Sequence, residues 1–149
     1  MNYTENYNLK KPAQTDYYDV DDFNANADTT DAKLKDLYDR KAEIATGSYT
    51  GTGKAGGGVN ANSITFDFTP SVVLIQSGSG AVVNATAIIN GSAVDMYVQT
   101  AEGRYGQTAS YDTASKKLTW YYTNGQTSQA DRQANANGYT YTYVAIGKL

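Results

Sequence analysis

The residues best suited to chemistry in this chain are aromatic. Trp120, Tyr121 and Tyr122 stand together, Tyr97, Tyr105 and Tyr111 precede them, and Asn124, Gln126, Arg132 and Asn135 follow. Aromatic rings stack on the C–H faces of sugars, while Asn, Gln and Arg hydrogen-bond hydroxyls, so the mixture suits a carbohydrate surface. Trp120 alternates with Leu118 and Tyr122, which describes a core residue better than a ligand platform. Tyr105, Tyr111 and Tyr121, with Asn124 and Arg132, are therefore the candidate glycan-binding residues. A subunit boundary, where tyrosine is enriched, would use the same side chains.

Other chemistries find little to work with. The 149 residues include 14 tyrosines but no histidine and no cysteine. That removes a thiolate nucleophile, a Ser-His-Asp relay, a disulfide and the usual zinc ligands. A metal would need oxygen ligands. Asp16, Asp19, Asp21 and Asp22 cluster, and Asp22-x-Asn24-x-Asn26-x-Asp28 copies the opening ligand spacing of an EF-hand loop. The sixth position is Ala27 rather than glycine and the twelfth is Lys33 rather than glutamate, so a solvated acidic turn is expected, with no metal and no cofactor. Glycoside hydrolysis needs two acids facing one cleft. Asp67, Asp95, Glu102, Asp112 and Asp131 are not paired by spacing, and the expectation is a protein that is not an enzyme. The glycine-rich stretch 51–58 lacks the G-x-x-x-x-G-K-[ST] pattern of a phosphate loop.

These residues sit in a chain of three textures. Residues 1–46 hold ten acids and six bases, and residues 47–149 hold five acids and six bases, for a total charge of −3. Nothing in that balance calls for nucleic acid. No run approaches the roughly 20 apolar residues that span a bilayer. The start, Met1 to Glu5, lacks the basic and apolar parts of a secretion signal, so synthesis in the cytosol and no membrane insertion are expected. Residues 1–27 are polar and tyrosine-rich. Residues 28–46 predict a helix, with capping side chains at Asp28-Thr29-Thr30-Asp31 and Leu34, Leu37, Lys41 and Ile44 at 3-4-3 spacing. That narrow stripe fits a coiled-coil seam and a lone amphipathic helix lying on its own domain equally well.

From residue 47 onward short runs alternate. Ile64, Phe66 and Phe68 predict a half-buried strand, and the continuous apolar run Val72 to Gln76 one buried on both sides. Val82 to Ile89, Ala93 to Gln99, Leu118 to Thr123 and Tyr139 to Ile146 follow, with turn pairs Asn90-Gly91, Asn124-Gly125 and Asn137-Gly138. Tyr139, Tyr141 and Tyr143 share one face of the last strand. The pattern predicts a mainly β chain whose 47–149 part is an antiparallel β-sandwich.

Two sets of residues carry a resemblance. Asn2-Tyr3-x-x-Asn6-Tyr7-Asn8-Leu9-Lys10-Lys11-Pro12, followed by Asp16 to Asp28, resembles the N-terminal module of tail fibre proteins of phages and phage tail-like particles of Gram-positive hosts. Tyr49 to Gly53, Ile64 to Ile75, Leu118 to Tyr121 and Asn135 to Gly147 are similar to tail-fibre tip domains, and more faintly to H-type lectins. The resemblance implies a homotrimer in a virion or tail-like particle. Residues 1–27 would dock on baseplate or tail proteins through Leu9, Tyr17, Tyr18 and Phe23. Residues 28–46 would form a trimeric helical bundle with Leu34, Leu37 and Ile44 as its seam. The tip, 47–149, would attach to host cell-surface polysaccharide. A structural baseplate component without receptor binding is the alternative, and a surface-glycan depolymerase a more distant one.

Overall fold

The computed structural model describes residues 2–17, 19–78, 83–123 and 127–148. The chain divides into two compact units, Met1–Lys41 and Ala42–Leu149.

In the first unit, β1 (Asn2–Tyr3) and β2 (Lys10–Lys11) pair antiparallel. Helix α1 (Val20–Arg40) follows. It starts eight residues before the expected Asp28, because Asp19 is the cap: its carboxylate accepts from the Asp21 N–H at 2.9 Å. Asp21 and Asp22 then place negative charge in the first turn, at the positive end of the helix dipole. The expected caps, Thr29 and Thr30, lie inside the helix and bond back to the carbonyls of Ala25 and Asn26. The acidic cluster is likewise spent on structure. Asp16 accepts from the Ala13 N–H, and Asp22, the buried residue of the helix, pairs with Lys10 and holds that ammonium's pKa above its ordinary value. Asn26 bonds both backbone groups of Lys10, at 2.7 and 2.8 Å, and so ties β2 to the helix.

The helix ends at Arg40, where Lys41 turns extended. Residues 43–46, expected on the helix, pair with Val144–Gly147 instead. Ile44 is therefore a strand residue and takes no place in a helical seam with Leu34 and Leu37.

Among the described residues the second unit has nine strands: β3 (Glu43–Thr50), β4 (Asn62–Thr65), β5 (Thr69–Ser77), β6 (Asn84–Asn90), β7 (Ala93–Gln99), β8 (Arg104–Gly106), β9 (Thr108–Asp112), β10 (Lys117–Tyr121) and β11 (Thr140–Lys148). They build a six-stranded sheet, β3-β11-β5-β6-β7-β8, and a three-stranded sheet, β4-β10-β9. All pairings within both sheets are antiparallel. One core lies between them, formed by Val73, Ile75, Ala85, Met96 and Val98 from the larger sheet and Ile64, Leu118 and Trp120 from the smaller, among others. The mainly β sandwich with one helix is as the sequence predicts.

Several side chains fall elsewhere than expected. Trp120 is fully buried and donates its indole N–H to the Gln133 carbonyl at 2.9 Å, as its alternation with Leu118 implies. The tyrosine face of β11 points inward: Tyr141 is fully buried and stacks on Tyr49 at 5.1 Å, and the Tyr143 ring meets Phe66 edge-on at 6.0 Å. Tyr143 also fills the space where a side chain on its cross-strand partner Gly47 would stand. That face is neither a sugar platform nor a subunit boundary. The run Val72 to Gln76 is buried on one side only. Val73 and Ile75 enter the core while Leu74 is 47% exposed, because the three-stranded sheet covers just one face of β5. The turn pair Asn124-Gly125 lies outside the described residues. The chain beyond it runs as a 3-10 segment, Thr127–Gln133, and β10 pairs with β4 and β9.

Burial gives two of these tyrosines a pH signature. Desolvation raises the Tyr49 and Tyr141 phenols above their ordinary pKa, with Tyr141 adding to the effect on Tyr49. The folded state thus holds both protons more tightly than the unfolded chain, whose tyrosines titrate near about 10. Their contribution is complete below that pH and is lost as pH rises from it toward the raised values of the folded state. The urea midpoint is expected to fall between pH 9 and 11 in the wild type, and to fall less steeply in Tyr49→Phe.

Candidate functional site

Of the candidate glycan residues, the structure gathers Tyr105 and Arg132. The short strand β8 is set by the turn after β7. The Thr100 N–H reaches the Gly103 carbonyl at 2.8 Å, the Thr100 hydroxyl accepts from the Glu102 N–H at 3.1 Å, and Gly103 takes a φ of 155° that other residues avoid. That turn presents Glu102 to Arg132, with a carboxylate–guanidinium distance of 3.0 Å. The Arg132 guanidinium lies over the Tyr105 ring, 4.6 Å from its centre, and Tyr122 meets the same ring edge-on at 5.6 Å. Gln107 fixes the backbone of this corner by donating to the carbonyls of Tyr105 and Arg132 at 3.0 and 2.9 Å. Its side-chain oxygen is buried and accepts no hydrogen bond. The Glu102 carboxylate, then Tyr105 and Tyr122, favour the charged form of Arg132 and raise its pKa further.

Across β8, the Arg104 guanidinium carbon lies over the Tyr97 ring, 3.6 Å from its centre. Successive residues of a strand point to opposite faces, so Arg104 and Tyr105 place one arginine–tyrosine stack on each side of it. Both arginines carry permanent charge beside a half-buried ring. Such a pair stacks a sugar ring and forks onto a carboxylate or phosphate.

The remaining candidates part company with this corner. Tyr111 is 3% exposed and belongs to the core, because it shares the inward face of β9 opposite Leu118. Tyr121 turns to the outer face of the smaller sheet and packs near Gly57. Asn124 lies outside the described residues. Asn135 is buried, where its side chain bonds the backbone and hydroxyl of Thr52 and the Lys54 carbonyl at 2.8–2.9 Å. Asp112 closes the turn between β9 and β10 by accepting from Ala114 and Ser115, and those bonds lower its pKa, the Ser115 side chain most. Sequence reasoning missed Glu102 and Gln107 as partners. Nothing in local spacing joins residues 102 and 107 to residue 132.

In the first unit the docking candidates are also placed. Tyr17 is 97% exposed and Phe23 66%, while Leu9 is half-buried beside Leu34 and Leu37. Tyr18 lies outside the described residues. The longer helix extends the apolar row backward. Val20, Phe23, Ala27, Leu34 and Leu37, with the polar Thr30 among them, stand at 3-4-3-4-3 spacing over about two and a half heptads, all of them exposed. Tyr3, Tyr7, Val20, Leu34, Leu37 and Tyr38 are likewise each more than half exposed, and the helix buries only Asp22. Among the described residues no three acids converge to hold a metal ion, and no helix is long and apolar enough to cross a membrane.

No protein-family model matches this chain, and neither a curated protein nor a solved structure was found to be similar to it.

Proposed function

We propose that the chain is a tail fibre or receptor-binding subunit of a phage or phage tail-like particle. Its first unit docks on baseplate or tail proteins, and its β unit attaches to a host cell-surface glycan. The observation that carries this reading is the helix. Val20, Leu34 and Leu37 stand in heptad register, each more than half exposed, on a unit that buries no large apolar side chain among its described residues, and such a row calls for further copies of the same helix. Three copies agree with the tail-fibre resemblance of residues 2–28. Weak single-site sugar binding then becomes firm attachment through avidity.

The glycan contact is assigned to the Tyr105–Arg132–Tyr122 corner, with Tyr97 and Arg104 beside it. In a binding assay on host cell-wall polysaccharide, Tyr105→Ala and Arg132→Ala are each expected to weaken binding about tenfold, the loss of one stacking or charged contact. Tyr121→Ala, away from the corner, should leave binding unchanged. Equal binding by all three variants removes the site. The second reading is a structural tail component without a receptor, favoured by the pairing of Arg132 with Glu102 inside the chain. It predicts assembly into particles with no polysaccharide binding by the wild type.

A further inference from the structure

Successive residues of a strand alternate faces, so the six-stranded sheet has an outer face turned away from the core. Register places Ser48, Thr142, Gln76, Asn84, Gln99 and Arg104 in one row of that face, across all six strands from β3 to β8. Each of the six is polar and exposed. At a strand spacing of about 4.8 Å the row runs for roughly 24 Å. The adjoining row is of another kind: Tyr97, Thr86, Leu74 and Val144 stand side by side on β7, β6, β5 and β11. A trough of about 710 Å³ follows the two rows from β3 to β6, lined by the hydroxyls and amides of the first and by Thr86, Leu74 and Val144 of the second. Beyond its β6 end stands the Tyr97–Arg104 stack, which strand parity puts on the opposite side of β8 from Tyr105.

We propose that this trough holds an extended strand of an acidic polysaccharide, with a carboxylate or phosphate of that strand on Arg104. The inference rests on the glycan reading of the β unit and gives it a second site, separate from the Tyr105–Arg132 corner. A sugar ring carries hydroxyls around its rim and C–H groups on its faces, and the two rows offer a partner for each, side by side. The polar row is unspent: among the described residues the Gln76 and Asn84 amides and the Ser48 hydroxyl hold no hydrogen bond. Each amide both donates and accepts, as sugar hydroxyls do. Charge complementarity selects an acidic chain. Arg104 is the one charge on the row, and unlike Arg132 it pairs with no carboxylate among the described residues. Its guanidinium, held over the Tyr97 ring, keeps its fork of donors for a carboxylate or phosphate. Gly106, opposite Tyr97 on β8, leaves that end open, since a side chain there would meet nothing within 4 Å. Asp95, two positions before Tyr97 on β7, repels an acid from the far side of the ring and so favours the Arg104 side.

The test measures binding of the full chain to three immobilised polysaccharides: polygalacturonate, which carries carboxylates, phosphomannan, which carries phosphates, and neutral dextran. The wild type is expected to bind one of the acidic chains at least about tenfold more tightly than dextran, and the chain it prefers identifies the acid. Gln76→Ala with Asn84→Ala should weaken that binding about tenfold, the loss of two hydrogen bonds. Arg104→Gln should bring it down to the dextran level. Both variants change exposed side chains, so their thermal melts should match the wild type. Tyr105→Ala with Arg132→Ala tests the corner on the same chains. Loss in the trough variants alone supports the trough and removes the corner. Loss in the corner variant alone overturns the trough and leaves the corner, and loss in both sets supports both sites. Binding that either trough variant retains, or a wild type that prefers neither acid to dextran, overturns the proposal. A wild type that binds none of the three overturns it too, while the assay on host cell-wall polysaccharide still decides the glycan reading.

Discussion

Gln133→Ala is expected to lower the stability of the β unit by about 4 kcal/mol, far more than a typical polar substitution. Gln133 is fully buried, and its amide is a four-way junction. The oxygen accepts from the N–H groups of Gly56 and Tyr122 at 2.8 and 3.0 Å. The nitrogen donates to the Asn60 carbonyl and the Asn62 side chain at 2.8 and 3.3 Å. Truncation strands three backbone groups, at roughly 1–3 kcal/mol each where water does not reach them. The glycine-rich loop loses an anchor at the same time. Asn135 holds its other end, and Gly51 passes so close to the Ala136 carbonyl that a side chain there has no room. In a thermal melt the expected fall in Tm is roughly 15–25 °C.

Gln133→Glu refines the test. Its carboxylate keeps both acceptor bonds but turns a repelling oxygen toward the Asn60 carbonyl and buries a charge. Burial raises such a carboxyl above its usual pKa of about 4.3, so the variant's stability should recover as pH falls toward that value. A Gln133→Ala melt within a few degrees of wild type would mean that the loop rests on other anchors.

That junction also marks where the sequence stops being legible. Period-two alternation puts Val94, Met96 and Val98 on one face of β7 and Leu118 and Trp120 on one face of β10, and each face turns to the core, with Val94 partly buried at its edge. The same reasoning fails for β5, whose continuous apolar run predicts burial on both sides. The hydrophobicity of Leu74 does not reveal that its face has no second layer within the chain. Strands β8 and β9 carry Arg, Gly, Ser and Asp and give no strand signal; they exist through their partners β7 and β10. Gln133 and Asn135 look like surface residues in any local window. They are buried because Ala134, at a φ of 57°, turns the chain so that both amides reach the loop some 70–80 residues earlier. The helix began early because Asn24, Asn26 and Asp28 weigh against helix locally, while the Asp19 cap and the bonds of Asn26 to Lys10 outweigh that preference. At the candidate site, Tyr105 and Arg132 were named from residue type alone. Their contact depends on Glu102 and Gln107, and Tyr111 was lost to the core by strand parity.

With α1 as the seam proposed above, Leu34→Asp with Leu37→Asp is expected to abolish the helix-driven assembly of the 16.0 kDa chains. Each leucine is about 60% exposed in the single chain, and burying one in a seam is worth roughly 1.5–3 kcal/mol per copy. Aspartate removes that gain and forces charge into the seam, so the assembly loses upwards of about 3 kcal/mol per chain, more than a hundredfold in affinity. Helix content should fall with it. The helix holds weak helix formers at Asn24, Asn26, Asp28, Thr29 and Thr30 and buries no apolar side chain in its own unit, and the i,i+4 pairs Lys35–Asp39 and Asp36–Arg40 add only about 0.3–0.5 kcal/mol each. Circular dichroism should therefore lose most of its helical signal on dilution or mutation, while the β unit melts unchanged. Ile44→Asp separates the helix row from the strand that replaced its expected end. Since Ile44 pairs with Ile146 in the sheet, the variant should keep the helical signal and the helix-driven assembly. If it dissociates the chains as completely as the leucine pair does, assembly runs through the sheet face rather than through the helix.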